Sequence, residues 1–210
     1  MLKPFTLLIA TLCLLCACND DDTTMPAYQF ALADMSTNIH GTATQLNFDD
    51  GNTYQLKAAV TKLKPDTTYR MQVLYVMNDD GKAQLYNYVP ILAPQVVRYS
   101  TGMAFKHPLN VVTYWQTSKY INLQLNIKGT AKGVHYFGFN ETDFRTNADG
   151  SHTMMVELVH NQNSDPLYYT RSTYLSLPLQ PLHNLLRTGI DSLQLTINTF
   201  SGKQVYKFIY

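Results

Sequence analysis

Cysteine is nearly absent from the sequence. The chain has 3 cysteines, and Cys13, Cys16 and Cys18 all lie near its start. If the chain is cut before Cys18, the mature protein keeps one thiol, at its first residue, and an internal disulfide is excluded. A mature chain of about 190 residues buries roughly 70% of its unfolded surface. We therefore expect packing alone to stabilise one or two hydrophobic cores.

An excess of charge of one sign is also missing. Lys and Arg together number 16 against 15 for Asp and Glu, and no basic cluster stands out. A nucleic-acid binder carries a basic stripe that displaces counterions from phosphates. The composition therefore excludes nucleic acid as the expected partner.

Motifs of catalysis are missing as well. The sequence has no Gly-x-Ser-x-Gly, His-Glu-x-x-His, P-loop, dinucleotide-binding or EF-hand pattern. Its only glutamates are Glu141 and Glu157, and most aspartates lie in expected turns. Because paired carboxylates are needed for glycoside hydrolysis, a hydrolase is the least favoured class. We predict a protein that is not an enzyme, without catalytic residues, a metal site or a cofactor.

The first residues have the composition of an export signal. Lys3 provides a positive charge, and Phe5 to Leu15 form an apolar run of about eleven residues, too short for a spanning helix of roughly 20. Leu15, Cys16, Ala17 and Cys18 then follow the pattern of a bacterial lipobox. This pattern predicts a signal peptide over residues 1–17.

Cys18 is the predicted lipidation site. In the lipoprotein pattern this cysteine receives a diacylglycerol thioether and an amide-linked acyl chain such as palmitate. Each buried methylene contributes about 0.8 kcal/mol, so several chains make a lasting membrane anchor. The covalent lipid is the only non-protein group we expect. The alternative is an ordinary secretory signal cut near Ala17.

The residues after Cys18 predict a tether. Residues 18–26 are polar, acidic and without periodicity. Asn19, Asp20, Asp21 and Asp22 resemble a signal that sends lipoproteins of some Gram-negative bacteria to the outer face of the outer membrane. We therefore predict an outer-membrane lipoprotein exposed on the cell surface. A solvated spacer that holds the folded part away from the headgroups is the other interpretation.

The rest of the chain predicts an all-β protein. Short alternating segments separated by turns, such as Asp49-Asp50-Gly51-Asn52, extend to Pro90. They favour a small OB-like Greek-key barrel over residues 27–97, although half a sandwich would also fit. Proline and glycine then interrupt the pattern, so we place a domain boundary there.

The second half, residues 98–210, predicts an antiparallel β-sandwich. Residues 120–127 alternate apolar side chains with Asn122, Gln124 and Asn126, which predicts a strand with one wet face. Residues 134–139 and 153–160 predict a strand pair. Leu182, Leu185 and Leu186 have helical spacing and predict a short helix.

The order of these pieces resembles the NigD-like lipoproteins. That resemblance implies an OB-like domain and a β-sandwich behind a lipidated cysteine, and a link to bacteriocins, without an agreed molecular activity. The segments that carry it are Asp49-Asp50-Gly51, Arg70 to Tyr75, Val89 to Leu92, His107-Pro108-Leu109, Trp115, Tyr120 to Leu123, and Glu157 to Asn161 with Asp165.

One polar cluster is predicted. If the strands that hold His135 and His160 pair, these histidines lie near each other, with Asn161 and Asp165 following. A structural pair at a strand end is the favoured interpretation, and a divalent metal site is the alternative.

Tyrosines offer a second candidate surface, because flat aromatic faces bind sugars and proteins. Most tyrosines in β-rich proteins are instead cross-strand partners. Three functions remain in order: a binding or accessory protein in a surface assembly, a glycan-binding lipoprotein, and an undescribed hydrolase. The tyrosines concerned are Tyr86, Tyr88, Tyr114, Tyr168, Tyr169, Tyr206 and Tyr210.

Overall fold

The computed structural model describes residues 27–98 and 105–210. The predicted signal peptide 1–17, with Leu15, Cys16 and Ala17, lies outside the described residues. So do Cys18 and the predicted export signal Asn19, Asp20, Asp21 and Asp22. No helix within the described ranges is long and apolar enough to cross a membrane.

The regular secondary structure of the described chain is almost entirely β-strand. A single turn of 3-10 helix, Gln180–Leu182, stands where the leucine spacing predicts a short helix, and Leu182 is buried there. The strands are β1 (Gln29–Ser36), β2 (Ala43–Phe48), β3 (Thr53–Val60), β4 (Thr68–Met77), β5 (Ala83–Pro90), β6 (Val96–Arg98), β7 (Asn110–Gln116), β8 (Tyr120–Gly129), β9 (Tyr136–Thr146), β10 (His152–Asn161), β11 (Tyr169–Pro178), β12 (Ser192–Thr199) and β13 (Gly202–Ile209).

The first five strands close into a barrel in the order β1-β2-β3-β5-β4. Gly51 has a φ of +92° in the turn between β2 and β3, a conformation that glycine adopts without steric cost. Inward-facing side chains such as Met35, Leu46, Met71 and Val73 fill the interior and are at most 2% exposed. The predicted OB-like barrel is confirmed.

The remaining strands form two packed sheets. One has the order β13-β12-β10-β9-β6 and the other β11-β8-β7. Alternate residues of β8, including Leu123 and Leu125, face the inner layer with no exposed surface. Phe139 of β9 and Leu195 of β12 meet them in the same core. The predicted all-β fold, a barrel followed by a sandwich, is confirmed.

The sandwich differs from the prediction in being mixed instead of antiparallel. β10 pairs with β12 in parallel, and β6 pairs with β9 in parallel. The cause is the order of the strands. After β10 the chain crosses to the opposite sheet to form β11, and it then returns beside β10 as β12, so that β10 and β12 run in the same direction. Alternation identifies the buried face of a strand but not the neighbour it pairs with.

The boundary expected between residues 97 and 98 falls inside β6. The chain leaves the barrel after Pro90, and Leu92 already bridges to Leu175 of the sandwich. All of β6 pairs with β9, so the sandwich takes residues from before the predicted boundary. A three-residue edge strand shows too little alternation to be found from sequence.

The barrel rests on the outer face of the three-stranded sheet, where Asn122 and Ser176 lie side by side on β8 and β11. Both residues have no exposed surface. The prediction that the Asn122 face of this strand is wet is therefore wrong at Asn122, because the barrel covers it.

Candidate functional site

A buried polar network joins the barrel to the sandwich. At its centre, Arg70 of β4 donates from Nη1 and Nη2 to the two carboxylate oxygens of Asp49, at 2.7 and 2.5 Å. Nη1 also donates to Asp34 of β1 at 3.2 Å. The Arg70 side chain is only 2% exposed. Planar two-point pairing of this kind suits arginine and not lysine.

The sandwich completes the set of partners. Arg70 Nη2 donates to Asn122 Oδ1 at 3.1 Å, and its Nε donates to Ser176 Oγ at 3.3 Å. Asn122 in turn donates to Asp49 at 3.1 Å. All five N–H donors of the guanidinium therefore have acceptors. We call Arg70, Asp34, Asp49, Tyr120, Asn122 and Ser176 the Arg70 network.

The Arg70 network holds more negative than positive charge. Two carboxylates face one guanidinium, and Lys119 stands at the edge with its Nζ 4.0 Å from Asp34. Tyr120 donates its hydroxyl to Asp34 at 3.0 Å, and its ring lies under the guanidinium at 4.0 Å. Burial, and then the charge of Asp34, raise the pKa of Tyr120 well above its ordinary value. The phenol therefore stays a donor.

Sequence reasoning missed the Arg70 network. In the sequence, Arg70 lies on the outward-facing side of its strand, where arginine normally meets water. The register sets Arg70 directly opposite Asp34, so a correct pairing of β1 with β4 would have indicated the first ion pair. The contacts with Asn122 and Ser176 join elements more than 50 positions apart and need the docked domains.

Beside the network the two domains leave an open recess of about 390 Å³. Its walls are Phe30 of β1, Trp115 of β7 and Tyr174 of β11, with Gln124 between them. Trp115 and Tyr174 extend from the same outer face of the three-stranded sheet that carries Asn122. We call this space the junction recess. Phe30 is 50% exposed, so the recess is open to solvent.

Carboxylates stand at one side of the junction recess. Asp49 and Asp50, in the turn after β2, line it beside Phe48. Asp50 is exposed, and its two oxygens accept from the backbone N and side-chain amide of Asn52 at 2.9 and 2.7 Å. The turn holds both carboxylates in place before any ligand arrives.

The predicted histidine pair does come together. His135 Nδ1 lies 2.8 Å from His160 Nε2, and His135 Nε2 lies 3.1 Å from Asp165 Oδ2. The pairing of β9 with β10 places them so. Asn161 instead turns away and accepts from the backbone N of Asn163 at 2.8 Å.

The hydrogen bonds assign the protons in this cluster. His160 Nδ1 lies 2.9 Å from the His107 carbonyl, which only accepts, so Nδ1 carries the hydrogen. His160 Nε2 is then an acceptor, and His135 donates to it. Burial lowers the pKa of His160 to about 4. His160 therefore stays neutral at neutral pH and ties the His107 segment to the sandwich.

Asp165 closes the other end of the cluster. Thr130 donates to it from its hydroxyl and backbone N at 2.7 and 2.8 Å, and these bonds lower the pKa of Asp165. A Cβ on Gly133 would lie 1.8 Å from Asp165 Oδ2, so this close approach requires glycine. The contacts within the cluster are those of a structural element. No group of three or more His, Cys, Asp or Glu among the described residues is arranged to hold a metal.

The tyrosines named from the sequence do not form one surface. Tyr210 is buried and donates to the Leu179 carbonyl at 3.0 Å, and Tyr206 is half-buried. Tyr114 meets Tyr206 edge to face, with ring centres 4.6 Å apart. The others, Tyr86, Tyr88, Tyr168 and Tyr169, are exposed on the barrel and sandwich.

A second ionic cluster was also not anticipated. Asp191 has no exposed surface and accepts from Arg187 Nη2 at 2.8 Å and from the His152 backbone N at 2.7 Å. The hydrogen bonds from Arg187 lower the pKa of Asp191. Because Asp191 directly precedes β12, it anchors the start of that strand to β10. The spacing of Arg187 and Asp191 was its only signal in the sequence.

The barrel, the crossover sandwich and the junction network define a two-domain all-β protein. A family model described as the NigD-like C-terminal beta sandwich domain matches residues 100–210, more than half of the chain. The chain therefore belongs to the NigD-like family, as the resemblance in its sequence implied. No curated protein sequence matches it.

Solved structures share the whole fold. A NigD-like immunity protein from Bacteroides caccae is 22% identical with a TM-score of 0.68, covering 87% of this chain and 92% of its own. A candidate lipoprotein from Bacteroides fragilis is 12% identical with a TM-score of 0.64, covering 87% and 98%. At these identities the likeness establishes the two-domain fold and nothing finer.

We expect Arg70→Met to destabilise the protein strongly, because it leaves Asp34 and Asp49 buried without their cation. Breaking a buried pair in this way costs about 3–5 kcal/mol. Urea denaturation of the full chain measures the free energy of unfolding. Arg145→Met is the matched control, since its ion pair with Asp143 is exposed and contributes about 0–1 kcal/mol.

If Arg70→Met does not fold, Arg70→Lys keeps the charge but loses the two-point contact, and we expect it to unfold at lower urea than the wild type. Equal stability of Arg70→Met and Arg145→Met would contradict the central role of the network.

We expect stability to fall as the pH is lowered from about 6.5 to about 4, because the unfolded chain then binds a proton at His160 that the folded chain refuses. The loss is at most about 3 kcal/mol. Chemical denaturation across this range measures it. His160→Gln removes the titration, so its stability should fall less steeply, whereas exposed His40→Gln should follow the wild type. Parallel curves for all three proteins would refute this.

Proposed function

We propose that this chain is a lipid-anchored, non-catalytic protein of the cell envelope that binds a partner protein in a surface assembly, in the setting of bacteriocin protection. One observation carries the proposal: the Arg70 network fixes two domains as one body and leaves an open, aromatic recess where they meet. A preorganised recess of this kind suits binding. The bacteriocin setting is proposed from the resemblance of the sequence to the NigD-like family, and a solved protein with the same fold is described as a NigD-like immunity protein.

Three features support a role without catalysis. The histidine cluster is buried and its members His135, His160 and Asp165 are bonded to one another. Asp191 is likewise saturated by Arg187 and His152. Groups enclosed in this way do not meet a substrate. The family model and the solved relatives point in the same direction, since none of their descriptions names an enzyme.

The anchor is proposed from the sequence. Cys18 in its lipobox would carry the covalent lipid, and the resemblance of fold to a candidate lipoprotein is consistent with it. The acidic residues Asp20, Asp21 and Asp22 would then direct the protein to the outer face of the outer membrane. No other cofactor is needed for a binding role.

A glycan-binding role is the second candidate function. The observation in its favour is that Trp115 and Tyr174 lie beside the amide of Gln124 in the junction recess, and aromatic faces with amide groups bind sugars. Under this role the partner would be an oligosaccharide of the cell surface.

Surface exposure is tested by adding a protease to intact cells. We expect the wild-type protein to be degraded on intact cells, and the variant with Asp20, Asp21 and Asp22 all changed to Asn to be protected until the cells are lysed. A periplasmic protein of known location serves as the lysis control. Protection of the wild-type protein on intact cells would contradict surface exposure.

The binding role is tested by cross-linking on living cells, affinity purification of the full-length protein and mass spectrometry. We expect a defined envelope or secreted protein to be recovered with the wild type and lost with Cys18→Ala, because the variant is no longer held at the membrane. Recovery of no protein partner would overturn the proposal and direct attention to glycans.

A further inference from the structure

Three aromatic rings line the junction recess. Its three rings come from three different strands, and they are inclined to one another instead of coplanar. The Phe30 and Tyr174 rings are 5.6 Å apart at 41°, and the Trp115 and Tyr174 rings are 6.5 Å apart at 74°. All three rings line the recess, so each presents aromatic surface to a ligand bound there.

The charge around the recess also favours a cationic ligand. Asp49 and Asp50 line it, and Asp34 lies behind Asp49 in the Arg70 network. Two cations, Arg70 and Lys119, face these three carboxylates, and Lys119 Nζ is held by the Phe48 carbonyl at 3.3 Å. A net negative charge therefore remains beside the aromatic faces.

We propose that the junction recess binds an organic cation, the ammonium or guanidinium group of a lysine or arginine side chain on the partner polypeptide. The rings attract the cation through their quadrupoles, and Asp50 supplies the opposite charge. The volume of about 390 Å³ holds such a head group with its alkyl stem. This inference rests on the proposed function, since it names the chemistry of the binding partner.

Trp115 provides the measurement. It is the only tryptophan in the chain, so fluorescence excited at the red edge, where tyrosine does not absorb, reports on the recess alone. The full-length lipoprotein in nonionic detergent is titrated with short peptides that contain one lysine or one arginine. The matched control peptides contain norleucine or citrulline, which keep the shape and lose the charge. A neutral oligosaccharide forms a further arm.

We expect a saturable change with the cationic peptides, weakened by added salt, and none with the neutral ones. Asp50→Asn, Phe30→Ala and Tyr174→Ala should each weaken binding by about 5-fold, the effect of one cation–π or surface charge contact. Tyr168→Ala and Asp79→Asn are the controls, because both residues are exposed away from the recess. Their affinities should match the wild type.

Equal binding of norleucine and lysine peptides, or no saturable change with any cation, would overturn the assignment. Saturation by the oligosaccharide alone would overturn it in favour of glycans. The cross-linking experiment distinguishes failure of this inference from failure of the proposed function. A partner recovered equally by wild type and Phe30→Ala defeats this inference and leaves the proposed function standing, whereas recovery of no partner defeats the proposed function itself.

Discussion

Arg70 uses every one of its N–H donors inside the protein, and its acceptors come from both domains. Burying a guanidinium is costly unless its hydrogen bonds are complete. Completion requires Asn122 and Ser176, which only the docked sandwich supplies. The barrel therefore gains a satisfied arginine when it rests on the three-stranded sheet. Arg70 is therefore the centre of the contact that places the domains and forms the junction recess, and the hydrogen bonds of Tyr120 to Asp34 and of Asn122 to Asp49 reinforce it.

The same contact divides the outer face of the three-stranded sheet. Where the barrel covers this face, polar side chains such as Asn122 are buried and make their hydrogen bonds within the Arg70 network. Two residues further along the strands, on the same face, Gln124 and Tyr174 remain half-buried and line the recess with Phe30 of the barrel. The contact between the domains and the proposed binding surface thus share one face of the sheet. Because hydrogen bonds of the Arg70 network hold the two domains together, the walls of the recess need little ordering before it binds.

The sandwich contains a second polar element, the cluster formed by His135, His160 and Asp165. His160 binds the His107 carbonyl and so fixes the segment that leads into the sandwich. His135 connects His160 to Asp165 by hydrogen bonds. Parts of this arrangement were predictable, because His160 lies on β10 and His135 directly precedes β9, the strand joined to β10 by a recognisable turn. Asn161 was expected with them, but alternation along β10 directs it elsewhere. Local pairing was predicted well, whereas contacts between distant strands were not.

The sequence alone determined the all-β class, the two-domain order, the strand pair that brings the histidines together and the family resemblance, because alternation and turn residues act over a few positions. Only the tertiary structure decided the parallel crossover of β10 and β12, the transfer of β6 to the sandwich and the burial of Asn122. It also decided that Arg70, which faces outward on its strand, uses all its N–H donors in hydrogen bonds at the contact between the domains. Periodicity specifies which face of a strand is buried, and only the packed domains specify what buries it.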